Sequence, residues 1–173
     1  LSAFRSQPNR HLTGIIGYLC TYDPRTPNVR RQRLLRATAA MADQMGFKLE
    51  PIQVDLNTSK PAHVASMLRA RGIHAIILPP LVPKARPFID LPWDQFSVVG
   101  IGYSITNIRP HRVSFSHFQG MLLHLRKLRE RGYQRIGLNL TAEVNLRTGG
   151  NLLGAMLAEQ HDHPRRTRIE PCI

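Results

Sequence analysis

The chain has 173 residues, of which 24 are Lys or Arg and 11 are Asp or Glu, a net charge of +13. That length fits one domain, or one lobe and part of a second, and a 42% apolar content is enough to build a true core. No apolar run is long enough to span a bilayer, and Leu1-Ser2-Ala3-Phe4-Arg5 is no secretory leader; a start at Leu1 is expected of a portion of a longer protein.

Residues 1–12 are polar and contain Pro8, the composition of a tail or linker. Thr13 to Leu19 is a buried strand by its apolar run. Thr21 to Asn28 holds two prolines and several turn formers, so it is a loop, and Asn28 is placed to cap a helix over Val29 to Met45. That helix carries Leu34, Leu35, Thr38, Met41, Ala42 and Met45 along one face. A second strand runs from Leu49 to Val54. The next helix opens at Ser59 or Lys60, with Pro61 in its first turn, where the missing N–H does no harm. Ala75 to Leu78 is a third strand, stopped by Pro79-Pro80. Residues 81–92 are irregular, with room for one helical turn. Ser97 to Ile101 and Arg112 to Phe115 are further strands, the latter short. His117 to Arg131 is a helix, Arg135 to Leu140 a strand and Leu146 to Gln160 a helix. Ile169 to Ile173 begins as a strand would.

One junction occurs three times. Gln44-Met45-Gly46-Phe47, Ala70-Arg71-Gly72-Ile73 and Glu130-Arg131-Gly132-Tyr133 each join a helical run to a strand through a glycine. Glycine takes the left-handed backbone at a helix C-terminus without a Cβ penalty, and the apolar residue after it folds back onto the last turn. Helix-then-strand repeated in this way winds a parallel α/β sheet. Ligands of such sheets bind outside the C-terminal ends of the strands. The segments after Leu19, Asp55, Leu78, Ile101 and Leu140 therefore form the candidate rim, and they hold Tyr22, Asp23, Asn28, Gly102, Tyr103 and Ser104.

Little in the chain demands catalysis. There is no Gly-x-Gly-x-x-Gly after the first strand, no phosphate-binding Gly-x-x-x-x-Gly-Lys, and no Gly-x-Ser-x-Gly elbow. His161-Asp162-His163 lacks a third metal ligand, and Ser114, Ser116 and His117 suit a helix cap better than a catalytic pair. Cys20 and Cys172 are far apart and have no metal-like spacing, as expected of two reduced thiols. The basic excess favours work near a polyanion, yet no aromatics are interleaved to stack on single strands. No enzyme activity, cofactor or metal is expected.

The order of these segments resembles the effector-binding domain of LacI/GalR-family transcriptional regulators. Thr13-Gly14-Ile15-Ile16-Gly17 is similar to the family's opening strand. Arg71-Gly72-Ile73-His74-Ala75-Ile76-Ile77-Leu78-Pro79 is similar to its "D-G-I-I-L-x-P" run, and Ser97-Val98-Val99-Gly100-Ile101-Gly102-Tyr103 to "P-V-V-x-I-D-R". Val113-Ser114-Phe115-Ser116-His117-Phe118-Gln119-Gly120 stands for the crossover "V-x-x-D-N-x-x-G". Leu128 to Gly137 is the most specific piece, similar to "L-x-x-x-G-H-x-x-I-A/G". The likeness runs from about residue 13 to about residue 160.

The resemblance implies a periplasmic-binding-protein-like (type I) α/β fold. Two lobes are joined by crossing strands, a small ligand sits in the cleft between them, and a helix-turn-helix head lies N-terminal. By it, residues 13–115 are the first lobe and 116–173 the start of a second, incomplete lobe with exposed apolar surface; the head lies outside this chain. The expected function is ligand sensing and dimerisation in a cytoplasmic regulator, with a sugar or related metabolite as effector and DNA reached through the head. The alternative is a periplasmic-type receptor with no DNA role. The residues implied at the ligand are Tyr22, Asp23, Tyr103, Gln119, Arg147 and Asn151. Three positions depart from the family pattern: Gly102-Tyr103 replaces an acidic-basic pair, Asn151 stands where many members carry a ligand-clamping Arg, and Gln119 where some sugar sensors have Asp. These changes remove charged, bidentate groups from the site.

Overall fold

The strand Gly14–Cys20 (β1) is buried at four consecutive residues, Gly17 to Cys20. Successive strand residues face opposite sides, so β1 is covered on both, as a central parallel strand must be. The structure, a computed structural model, describes residues 14–81 and 90–173. The expected tail over 1–12 and most of the proline-rich stretch at 81–92 lie outside those residues.

The other strands are Phe47–Gln53 (β2), Ile73–Leu78 (β3), Ser97–Ile101 (β4) and His111–Val113 (β5), in the sheet order β2-β1-β3-β4-β5. The pairs β1–β2, β1–β3 and β3–β4 are parallel. This order reverses direction at β1, and the crevice beyond the C-terminal ends of β1 and β3 is the switch point where ligands bind in such sheets. Gly17 keeps β1 close to β3: an added Cβ would lie 3.0 Å from Ile73 Cγ2 and 3.0 Å from Leu19 Cδ1.

The first two helices form where capping and periodicity placed them. Val29–Gln44 (α1) is capped by Asn28, whose side chain accepts from Arg31 N–H at 3.1 Å. Pro61–Ala70 (α2) has its proline in the first turn and buries Val64, Ala65 and Leu68. Each of the three junction glycines has a positive φ: 81° at Gly46, 68° at Gly72 and 88° at Gly132. The stripe expected on α1 is only partly covered. Ala42 is buried, but Met41 and Met45 are exposed. The reason is positional, since α1 packs on β2, an edge strand, which offers it no further neighbour on one side.

The chain divides into two compact units, the first reaching Gly100 and including Arg109–His111, the second made of Ile101–Ile108 and Arg112–Ile173. The first contains β1 to β3, α1 and α2. Its core holds Tyr18, Leu19, Ile52, Val64, Leu68, Ile73, Ile76 and Leu78. Each fully buried aliphatic side chain there contributes roughly 1.5–3 kcal/mol.

The second unit contains His117–Glu130 (α3), Ala142–Arg147 (α4) and Asn151–His161 (α5). Here α3 packs on α5 around Leu125, Ile136 and Met156, with Met121, Leu128 and Leu138 against them. Two expectations need correction. The strand over Arg135 to Leu140 is not formed as a ladder; a single parallel bridge joins Asn139 to Cys172, with Leu140 N–H donating to Cys172 O and Cys172 N–H to Leu138 O. A strand needs neighbours along its length, and among the described residues only this short contact supplies one. The helix expected over Leu146 to Gln160 is two helices, broken at Thr148-Gly149-Gly150. Both glycines there have positive φ, 64° and 70°, which no helix accommodates.

Candidate functional site

In the first unit the loop after β1 carries two of the candidate residues. Asp23 accepts from Arg25 N–H at 2.9 Å and from the Arg25 side chain at 3.1 and 3.0 Å. Those bonds hold its carboxyl below the usual aspartate range, so Asp23 shapes the turn it sits in. Tyr22 is half-buried under Arg31, whose guanidinium carbon lies 4.4 Å from the ring centroid. Beneath them Tyr18 is fully buried beside the Tyr22 hydroxyl, and the Thr21 hydroxyl has no hydrogen-bond partner among the described residues. Burial first, then the neighbouring Tyr22 hydroxyl, push the Tyr18 phenol far up. The rim after β2 is occupied in the same way as the first: Asp55 accepts from Asn57 N–H at 2.9 Å and from the Thr58 hydroxyl at 2.8 Å.

The second unit brings two more candidates together. Tyr103 follows β4, and Asn151 opens α5. Gly149 lies between them, with Tyr103 Cδ1 at 3.0 Å and Asn151 Nδ2 at 3.2 Å from where its Cβ would be. Asn151 donates to Thr148 O at 2.8 Å, which ties α5 back to the end of α4 and leaves its carbonyl oxygen to other partners. Asn145 Oδ1, on α4, is buried and has no hydrogen-bond partner among the described residues. Gln119 is exposed on α3, and its backbone N–H is capped by Ser116 Oγ at 3.3 Å. Arg147 pairs with Glu143 at 3.8 Å. No hydrogen bond, ion pair or ring contact joins Gln119 or Arg147 to Tyr103 or Asn151 among the described residues.

Arg112, His117 and Gly149, which surround Tyr103, were not singled out by sequence as site residues. A signal existed for one of them. The pair Gly149-Gly150 marks a backbone break, and a break at a rim position is where a neighbouring side chain can enter. For Arg112 there was none, because its partners lie up to ten residues away along an irregular segment. No group of three His, Cys, Asp or Glu side chains that could hold a metal ion occurs among the described residues. No helix among them is long and apolar enough to cross a membrane.

This architecture is shared with known structures. A regulatory protein of the LacI family from Chloroflexus aggregans superposes with a TM-score of 0.64 at 20% identity, over 90% of this chain and 58% of its own. The fold is that of a LacI-family regulator. A LacI-family CcpA regulator from Weissella paramesenteroides, solved with bound glucose, matches at 0.59 and 15% identity over 90% and 57%. A periplasmic binding protein/LacI transcriptional regulator from Alkaliphilus metalliredigens, complexed with D-xylulofuranose, matches at 0.53 and 18% over 91% and 55%. The LacI-type fold is thus met along nearly all of this chain, while the chain spans just over half the length of those structures. No protein-family model matches the sequence, and no curated protein matches it.

Proposed function

We propose that this chain is the ligand-sensing and dimerisation part of a LacI-type transcriptional regulator that works in the cytoplasm. The observation that carries the reading is the likeness of nearly the whole chain to regulators of that kind, two of them solved with a sugar bound. The lobes are assigned to residues 13–115 and 116–173. A small-molecule effector is the ligand, and the candidate contacts are Tyr22, Asp23, Tyr103, Gln119, Arg147 and Asn151. Tyr103 and Asn151 are the strongest of these because they meet around Gly149. The effector acts by population shift. It binds one arrangement of a homodimer better than another and so changes the DNA affinity of a helix-turn-helix head. An effector with equal affinity for both arrangements would switch nothing.

Calorimetry of the whole protein against neutral sugars and related metabolites tests this reading, paired with DNA-binding assays with and without any compound that binds. The expected result is a saccharide that binds and changes DNA affinity. If Tyr103→Ala and Asn151→Ala both leave that binding unchanged, the site assignment is wrong. If binding occurs without any change in DNA affinity, the regulatory role is wrong.

A further inference from the structure

Tyr103 is held from three separate segments of the second unit. Arg112 places its guanidinium carbon 5.2 Å from the ring centroid. The same guanidinium donates to the carbonyl oxygens of Gly102 and, at 3.1 Å, Ile105, which flank Tyr103 in sequence. His117, at the start of α3, lies 6.0 Å away, ring centroid to ring centroid, tilted by 53°. The third segment is the break between α4 and α5. A Cβ on Gly149 would sit 3.0 Å from Tyr103 Cδ1 and 3.3 Å from Cγ, so the tyrosine ring fills the space that a side chain at 149 would take. Tyr103 itself is half-buried, and its hydroxyl makes no hydrogen bond with a described residue.

Fixing a ring this firmly without a bond from its hydroxyl to any described residue costs side-chain entropy and yields no bond among those residues in return. Such pre-ordering is useful for a ligand, which then need not order the side chain itself. Arg112 aims both terminal nitrogens at main-chain carbonyls and lays its guanidinium over the ring, so the group this cluster turns to a ligand is the phenol, a neutral donor and acceptor. We infer that Arg112 and Gly149 are positioning residues for Tyr103, fixing its hydroxyl as a contact for an uncharged, hydroxyl-rich ligand. This inference rests on the effector-binding reading given above.

The test combines tyrosine-ring NMR with calorimetry on the whole protein. Gly149→Ala and Arg112→Met should shift the Tyr103 ring resonances and leave those of Tyr22 and Tyr133 in place. Gly150→Ala is the control for backbone strain, because its φ is 70° but nothing lies within 4 Å of its Cβ; it should leave Tyr103 unmoved. Unchanged Tyr103 signals in both Gly149→Ala and Arg112→Met overturn the positioning role whether or not any ligand binds. The calorimetric probes are neutral mono- and disaccharides, glucose among them, and fructose 1-phosphate. For a saccharide that binds, Tyr103→Phe should weaken affinity about tenfold, the worth of one oriented hydrogen bond. Gly149→Ala and Arg112→Met should weaken it about as much, with no further loss when either is combined with Tyr103→Phe. Additive losses, or a preference for fructose 1-phosphate, overturn the inference with the effector reading intact. Silence from every probe removes the effector reading and the ligand class together, and the ring resonances alone then decide the positioning role.

Discussion

Arg129 on α3 grips Glu159 on α5 at two points, Nε to Oε1 at 2.7 Å and a terminal nitrogen to Oε2 at 3.3 Å. The pair is largely removed from water, with side-chain exposures of 15% and 10%. The other terminal nitrogen donates to the carbonyls of Tyr133 and Gln134. One guanidinium thus binds both helices and the turn that follows Gly132. His163 Nδ1 lies 3.4 Å from the same carboxylate, so Glu159 is contacted from two sides.

Arg129→Met should therefore destabilise the second unit by ~3 kcal/mol, because it strands a carboxylate that is mostly out of water. The double variant Arg129→Met/Glu159→Leu should recover part of that loss, since it removes the stranded charge as well. Hydrogen exchange of the α3 and α5 amides reads both effects. Equal losses in the single and double variants would assign the stabilisation to packing of the Arg129 stem instead.

The two cysteines should separate in reactivity. Cys20 is buried, its thiol donates to Tyr22 O at 3.2 Å and Ile52 O at 3.6 Å, and burial pushes its pKa up; Cys172 is exposed. A thiol-exchange reagent should modify Cys172 at once and Cys20 only as the fold opens. Because the folded pKa of Cys20 is raised, the stability it contributes is fully present below the ordinary thiol range. It is lost as pH rises through the folded value. Two thiols reacting at one rate would mean that the end of β1 opens freely.

The glycines of the junctions and of the sheet should fail for different reasons. At Gly72 nothing lies within 4 Å of an added Cβ, and only the φ of 68° opposes a side chain. Gly72→Ala should cost ~1 kcal/mol, and Gly72→Asn less, since Asn tolerates the left-handed region. Gly17→Ala should cost ~1–3 kcal/mol by overpacking against Ile73 and Leu19, and Gly17→Asn more. Denaturant midpoints separate the two cases by whether Asn is milder or harsher than Ala.

Local physics wrote the first unit into the sequence. Asn28 as a cap, Pro61 in a first turn and glycine at the ends of α1 and α2 are choices made within a few residues, and each was readable there. Pairing is not local. The alternation over Ile136, Leu138 and Leu140 marks a segment that can be a strand, but whether a ladder forms depends on partners elsewhere in the chain. The exposure of Met41 follows from α1 lying over an edge strand, which the helix's own pattern does not record. At the candidate site, position along the rim was legible through strand ends. The caging of Tyr103 was not, because Gly102, Arg112 and Gly149 come together only in the folded unit.

The acid limb of stability should trace to the loops at the strand ends. Asp55 is held below the usual aspartate range by the Asn57 N–H and then by the Thr58 hydroxyl, and Asp23 by its bonds to Arg25. A lowered folded pKa means that the folded state favours the ionised form. The contribution is therefore present above the ordinary aspartate range and is lost as pH falls through the lowered value. The stability difference between the wild type and Asp55→Ala should be constant near neutrality and shrink over that acid window. Thr58→Ala should move the Asp55 titration, followed by NMR of its carboxyl carbon, back toward the ordinary range, while that of Asp23 stays where it was. A wild-type advantage that persists undiminished below both pKa values would locate the role of Asp55 in something other than its charge.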